Sequence, residues 1–181
     1  IIGLGVTGLE VAKIARGLGM RVEAVTKHPF MKRDGYDKKY YVDDLAGIDR
    51  LPEVLARADI VSIHTPLTDE TTDMFGAKEF SMMKKWTYLI NVARAKIVSK
   101  DALFTALSAQ RIAGAAFDVF WREPPDLEDK ILALENFVLT PHIAGWTSEA
   151  IETITRIISI NIERMSRGDP PLAVVNRELL V

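Results

Sequence analysis

The sequence has no cysteine among its 181 residues, which removes disulfides, thiolate catalysis and cysteine-ligated zinc or iron–sulfur centres at once. It has no excess of either charge: 23 basic against 25 acidic side chains leave a formal net charge of −2. An electropositive surface for nucleic acid is therefore not expected. No apolar run approaches the roughly 18 residues that suggest a membrane span, and no basic, then apolar, then small-residue signal opens the chain. The simplest reading is a soluble, cytoplasmic protein without a nucleic-acid or membrane partner and without a metal. What remains is ordinary for a folded domain, with 48% hydrophobic and 27% charged residues, enough to bury a core and too apolar for a disordered chain. The start is short of residues too. Ile1-Ile2-Gly3 offers no methionine and only two apolar residues before a glycine turn, where a buried strand takes about five or six. A first strand cut short is the expectation.

Two kinds of apolar segment alternate along the chain. Short β-branched runs at residues 21–25, 60–64, 88–92, 112–119 and 137–140 are bounded by Gly, Pro, Asp or Asn and predict buried strands. Stretches at 9–18, 51–57, 77–83, 100–109 and about 148–167 predict helices. Alternation of this kind implies an α/β fold with a doubly wound parallel sheet. The last helix has an N-cap at Thr147 or Ser148, Glu149 in its first turn, Arg164 and Arg167 in its last, then Gly168 and Pro170. Its apolar residues, Ile151, Ile154, Ile158, Ile162 and Met165, with Ile157 and Ile160 further round, cover more than one core face needs. That width suits either deep burial or a second domain or subunit. Residues 32–44 predict a solvated loop.

Gly3-x-Gly5-x-x-Gly8 sits between a strand and a helix, where each glycine has a separate reason. One makes the tight turn, one lets a pyrophosphate approach the backbone, and one allows close helix–strand packing, with the amides near Val6 and Thr7 facing the phosphates. A dinucleotide-binding Rossmann domain is the implication. An acid closing the second strand would favour NAD, but Val25-Thr26-Lys27 stands there. A hydroxyl followed by a cation favours the 2′-phosphate, so NADP is preferred, with NAD possible.

Ligands of open α/β sheets bind beyond the carboxyl ends of the strands, and three polar residues lie there: Arg94, Glu123 and His142. A guanidinium can clamp a carboxylate and polarise a carbonyl, and an imidazole can supply a proton near neutral pH. A carboxylate beside the imidazole would hold its tautomer and stabilise its charged form. The set suits reduction of a 2-oxo acid by hydride. Each residue also has a plain alternative as a surface pair, an exposed acid or a turn histidine, but their joint placement favours chemistry. His64 is expected to be structural, with Thr65 and Pro66 bordering the adenine.

Ile2-Gly3-Leu4-Gly5-x-x-Gly8, Asp59-Ile60-Val61-Ser62-Ile63-His64-Thr65-Pro66-Leu67-Thr68, Ile90-Asn91-Val92-Ala93-Arg94, Asp118-Val119-Phe120-x-x-Glu123-Pro124 and Thr140-Pro141-His142-Ile143-Ala144-Gly145 together resemble the D-isomer-specific 2-hydroxyacid dehydrogenases. The resemblance implies that Arg94, Glu123 and His142 are catalytic. It further implies cofactor contacts from Asp118, from the backbone of Val92 and Ala93, from Thr71 and from Gly145, and a homodimer formed through this domain. The substrate it implies is a small 2-oxo or D-2-hydroxy acid of glyoxylate, hydroxypyruvate or pyruvate type. Residues 1–167 are then the dinucleotide-binding domain and 168–181 a tail returning to a substrate domain largely missing from this chain. Ala95 departs from the family's usual glycine, and Glu123 argues against a formate dehydrogenase. The rival expectation is a non-catalytic dinucleotide-sensing module of the same fold, which would keep the fold without turnover.

Overall fold

In a computed structural model, residues 1–27 and 41–174 are described. They fall into two compact units, Ile1–His142 and Ile143–Val181. The first unit carries strands β1 (Glu23–Val25), β2 (Asp44–Ala46), β3 (Ile60–Ile63), β4 (Tyr88–Asn91), β5 (Gly114–Phe117) and β6 (Phe137–Leu139). Helices α1 (Val6–Gly17), α2 (Leu51–Arg57), α3 (Ala77–Met82) and α4 (Lys100–Ser108) alternate with them. Strand β1 pairs with β2, and β3 to β6 pair in sequence order, all parallel. Ile2 bridges to Val25 on one side and to Ile63 on the other, so the segment before the glycine turn joins the two sets into one sheet. The resulting order reverses between Ile2 and β3, and that reversal is the crevice where open α/β sheets bind dinucleotides.

The helices lie on both faces. Val22 and Ala24 pack with Leu9 and Ala12 of α1 in one apolar cluster, whereas Val25 packs with Leu51, Val54 and Leu55 of α2 in the other. Because successive residues of a strand point to opposite faces, α1 and α2 cover opposite sides of β1. That is the doubly wound arrangement expected.

The differences from expectation are local. Strands are one to four residues shorter than their apolar runs, because the runs extend into the loops that enter β1 and β5 and into those that leave β3 to β6. Helix α1 begins at Val6 rather than Leu9; its cap is Gly5, which offers no side-chain acceptor, so the usual start signal is missing. Strand β2 was not expected at all: it is three residues long, opens with Asp44 and takes its register from Glu23↔Asp44. Residues 32–40 of the expected loop lie outside the described residues, as do residues 175–181 of the expected tail.

In the second unit, α5 (Ser148–Ser166) is capped by the Thr147 hydroxyl, which accepts from the Ala150 amide at 3.1 Å. None of its residues is buried, and Ile151, Ile154, Ile158, Ile162 and Met165 are all more than half exposed. No described helix is long and apolar enough to cross a membrane.

Candidate active site

The three glycines divide the work as their chemistry requires. Gly3 has φ +90°, and a Cβ there would stand 2.6 Å from the Thr65 amide nitrogen. A Cβ on Gly8 would stand 2.2 Å from the Gly3 carbonyl oxygen. Both positions are closed to any side chain. Around Gly5 an added Cβ meets nothing within 4 Å, so the turn is open at the point where a ligand would approach the backbone. Gly5 caps a 12-residue helix with no acid in its first turn, and Val6 and Thr7 are exposed. Helix-end amides without a nearby carboxylate suit a phosphate. These residues therefore fit the pyrophosphate of a dinucleotide.

On either side of the turn stand the loops after β1 and β3. Thr26 is half-buried and its amide donates to the Ala46 carbonyl at 3.0 Å. Lys27, expected as a cation for a 2′-phosphate, already pairs with Glu70 at 2.5 Å. Thr65 lies against Gly3 and Pro66 is exposed. Thr71 spends its hydroxyl locally: it donates to the Pro66 carbonyl and accepts from the Thr68 amide, each at 2.7 Å. His64 is half-buried and its Nε2 is 2.8 Å from the Ser62 hydroxyl. Burial holds its imidazole below the ordinary histidine range, in keeping with a structural role.

The catalytic candidates come together past β4, β5 and β6. Glu123 accepts from the Phe120 amide through Oε1 at 2.8 Å and from His142 Nδ1 through Oε2 at 2.7 Å. The first bond fixes the carboxylate, and the second fixes the ring. With Nδ1–H committed to an anion, Nε2 is the nitrogen left to face a ligand. The His142 ring, and next the Phe120 amide, hold the Glu123 carboxyl below the ordinary glutamate range, with the Arg94 charge adding to the effect. Both partners stay reachable, at 49% and 40% side-chain exposure. His142 itself sits at φ +56°, a left-handed conformation that costs energy for a residue with a Cβ. A recess of about 220 Å³ opens beside the pair, lined by Asp118, Phe120, Leu139 and Thr140 among others. Its size suits a small ligand or one end of a larger one. A larger recess of about 710 Å³ lies at the amino ends of β1 and β3, between α1 and α2, and holds none of the candidate residues.

Asn91 was not singled out from sequence, yet it builds the neighbouring loop. Fully buried at the end of β4, it donates through Nδ2 to the Arg94 carbonyl and accepts from the Ala93 amide through Oδ1, both at 3.0 Å. Val92 and Ala93 thus hold a fixed backbone, and Arg94 projects exposed with Nη1 on the Ala93 carbonyl at 2.7 Å. The only sequence signal was an asparagine within the apolar run at 88–92. Ala95 opens a 3₁₀ turn, Ala95–Ile97, with its methyl buried in the main core, so the departure from glycine is absorbed by packing. Asp118 is buried and accepts from the Thr140 hydroxyl at 2.5 Å. Gly145 belongs to the second unit.

Residues 1–144 match the family model described as D-isomer specific 2-hydroxyacid dehydrogenase, NAD binding domain. A glyoxylate reductase of Korarchaeum cryptofilum is 36% identical over 180 residues, 99% of this chain and 52% of that protein. A D-lactate dehydrogenase from Lactobacillus jensenii, solved with NAD+, superposes with a TM-score of 0.82 at 31% identity, covering 97% of this chain and 54% of that one. A D-isomer specific 2-hydroxyacid dehydrogenase from Xanthobacter autotrophicus Py2, solved with NADPH and MES, gives 0.79 at 31% identity, covering 97% and 69%. The chain spans 52% of that glyoxylate reductase and 32% of a D-3-phosphoglycerate dehydrogenase of Archaeoglobus fulgidus that it also matches, at 38% identity. With its glycine turn, sheet order and matched profile, it belongs to the D-isomer specific 2-hydroxyacid dehydrogenase family and carries the family's NAD-binding domain.

Proposed function

We propose that the protein containing this chain is an oxidoreductase that interconverts a small 2-oxo acid and its D-2-hydroxy acid, with a nicotinamide dinucleotide as hydride carrier. The observation that carries this reading is the Glu123–His142 pair at 2.7 Å, with the Arg94 charge near enough to act on the same carboxylate. A bound dinucleotide would supply or take the hydride. Arg94 would hold the substrate carboxylate by two parallel hydrogen bonds and polarise the adjacent carbonyl. His142 would give the carbonyl oxygen a proton from Nε2 during reduction and take it back in the reverse direction. Glu123 would keep Nδ1 protonated and offset the positive charge of the ring. A relative named glyoxylate reductase and a neighbour named D-lactate dehydrogenase support a substrate of glyoxylate, hydroxypyruvate or pyruvate type.

The remaining assignments belong to the same proposal. Residues 1–167 form the dinucleotide domain, with 168–181 leading to a substrate domain. NADP is preferred and NAD accepted, because Thr26-Lys27 replaces an acid. The exposed apolar face of α5 pairs two copies into a homodimer, and the protein works in the cytoplasm. In the full-length protein, His142→Gln should lower kcat for NADPH oxidation about 10²- to 10⁴-fold across a panel of 2-oxo acids, in the range of a lost general acid. An unchanged kcat would sink the mechanism.

A further inference from the structure

We propose that Glu70 sets the choice between the two nicotinamide dinucleotides by competing with the 2′-phosphate for the Lys27 ammonium, an inference that rests on the glycine turn being a dinucleotide site. Lys27 follows the end of β1 and Glu70 stands in the loop after β3. Those two strands are the neighbours of Ile2 in the sheet, so their loops stand on either side of the glycine turn. The Lys27 Nζ–Glu70 Oε2 contact of 2.5 Å joins one loop to the other. Both side chains are well exposed, at 63% and 67%, which leaves the pair weakly held and open to a competing ligand.

The two cofactors differ at one place. One presents a ribose diol, and the other carries a phosphate of nearly two negative charges where one hydroxyl would be. A lysine standing alone would favour the phosphate strongly. Paired with Glu70, the Lys27 charge is offset by a carboxylate. A diol can donate to the carboxylate and accept from the ammonium, whereas a phosphate must separate the two or lie beside a like charge. The acid that the end of β1 lacks is thereby supplied from a loop 43 residues further along the chain. Glu70 tempers the NADP preference that Thr26-Lys27 would otherwise give.

The test is dinucleotide binding by the full-length protein, with Kd for NADPH and NADH read from nicotinamide fluorescence at low salt. Glu70→Gln should tighten NADPH about tenfold and change NADH by less than about twofold, as expected for one unit charge removed near a phosphate. The gain should shrink near ~1 M salt, where the screening length falls to about 3 Å. In a Lys27→Met background, Glu70→Gln should tighten NADPH by no more than about threefold, because the competition has lost its object. If both dinucleotides bind and Glu70→Gln leaves their ratio unchanged, or weakens both alike, the inference is overturned while the dinucleotide reading stands. The full tenfold gain persisting without Lys27 overturns it as well. Failure of the unaltered protein to bind either dinucleotide overturns that reading and this inference together.

Discussion

At the residue scale the informative group is the Glu123 carboxylate, because two donors from different parts of the chain converge on it. A carboxyl whose folded-state pKa is lowered contributes stability that is present above its ordinary value near ~4.3 and is lost as pH falls through the lowered one. His142 is the largest cause of the lowering. His142→Gln should therefore move the Glu123 titration midpoint up toward the ordinary range, which side-chain carbon NMR would follow residue by residue. An unmoved midpoint would transfer the cause to the Phe120 amide. Asn91 is the second residue with a sharp consequence, since Asn91→Ala strips the Ala93 amide of its side-chain partner and leaves the Arg94 carbonyl with the Ile97 amide, at 3.2 Å. The expected loss is about 1–3 kcal/mol for the part-buried amide left unpaired, measured by denaturant unfolding. A drop in kcat/KM for the 2-oxo acid larger than the drop in dinucleotide affinity should accompany it. Arg94, Glu123 and His142 could be picked out as candidates because each lies a few residues past an apolar run, at the same end of the sheet. Asn91 and Glu70 were not, because their partners are fixed by loop conformation that no periodicity reports.

At the element scale, the glycine turn makes two substitutions of one size behave differently. Gly8→Ala drives a methyl to 2.2 Å from the Gly3 carbonyl oxygen, and a backbone neighbour cannot swing away as a side chain would. A cost of about 3 kcal/mol is expected, lowering Tm by about 10 °C for a chain of this length. Gly5→Ala places its methyl in open space, so Tm should hold within about 2 °C while NADPH affinity falls at least about tenfold. Calorimetry and fluorescence titration separate the two. A Gly5→Ala variant that binds normally would remove this turn from the cofactor site. The element order itself was legible, since β3 to β6 and α2 to α4 coincide with apolar runs between turn residues. Strand β2 escaped because three residues led by an aspartate carry no alternation, and its place depends on pairing with β1. The start of α1 escaped because a glycine cap leaves no side-chain signature.

At the scale of the whole molecule, α5 poses the question of what lies against it. A 19-residue helix with no buried residue has little packing to hold it, and most helical stability in proteins comes from packing an amphipathic face. Its apolar residues recur at intervals of three and four, from Ile151 through Ile154, Ile158 and Ile162 to Met165, a stripe suited to another apolar surface. The proposed dimer supplies one. Glutamate at the centre of that stripe would have to give up its hydration inside the interface, which costs several kcal/mol for each unpaired charge. Ile154→Glu combined with Ile158→Glu, in the full-length protein, should therefore turn a dimer into a monomer by sedimentation velocity at micromolar concentration. Dinucleotide affinity should change by less than about threefold, because the glycine turn and the Lys27–Glu70 pair lie in the other compact unit. A variant that remains dimeric would place the subunit contact elsewhere and leave the α5 stripe to cover a surface within its own subunit.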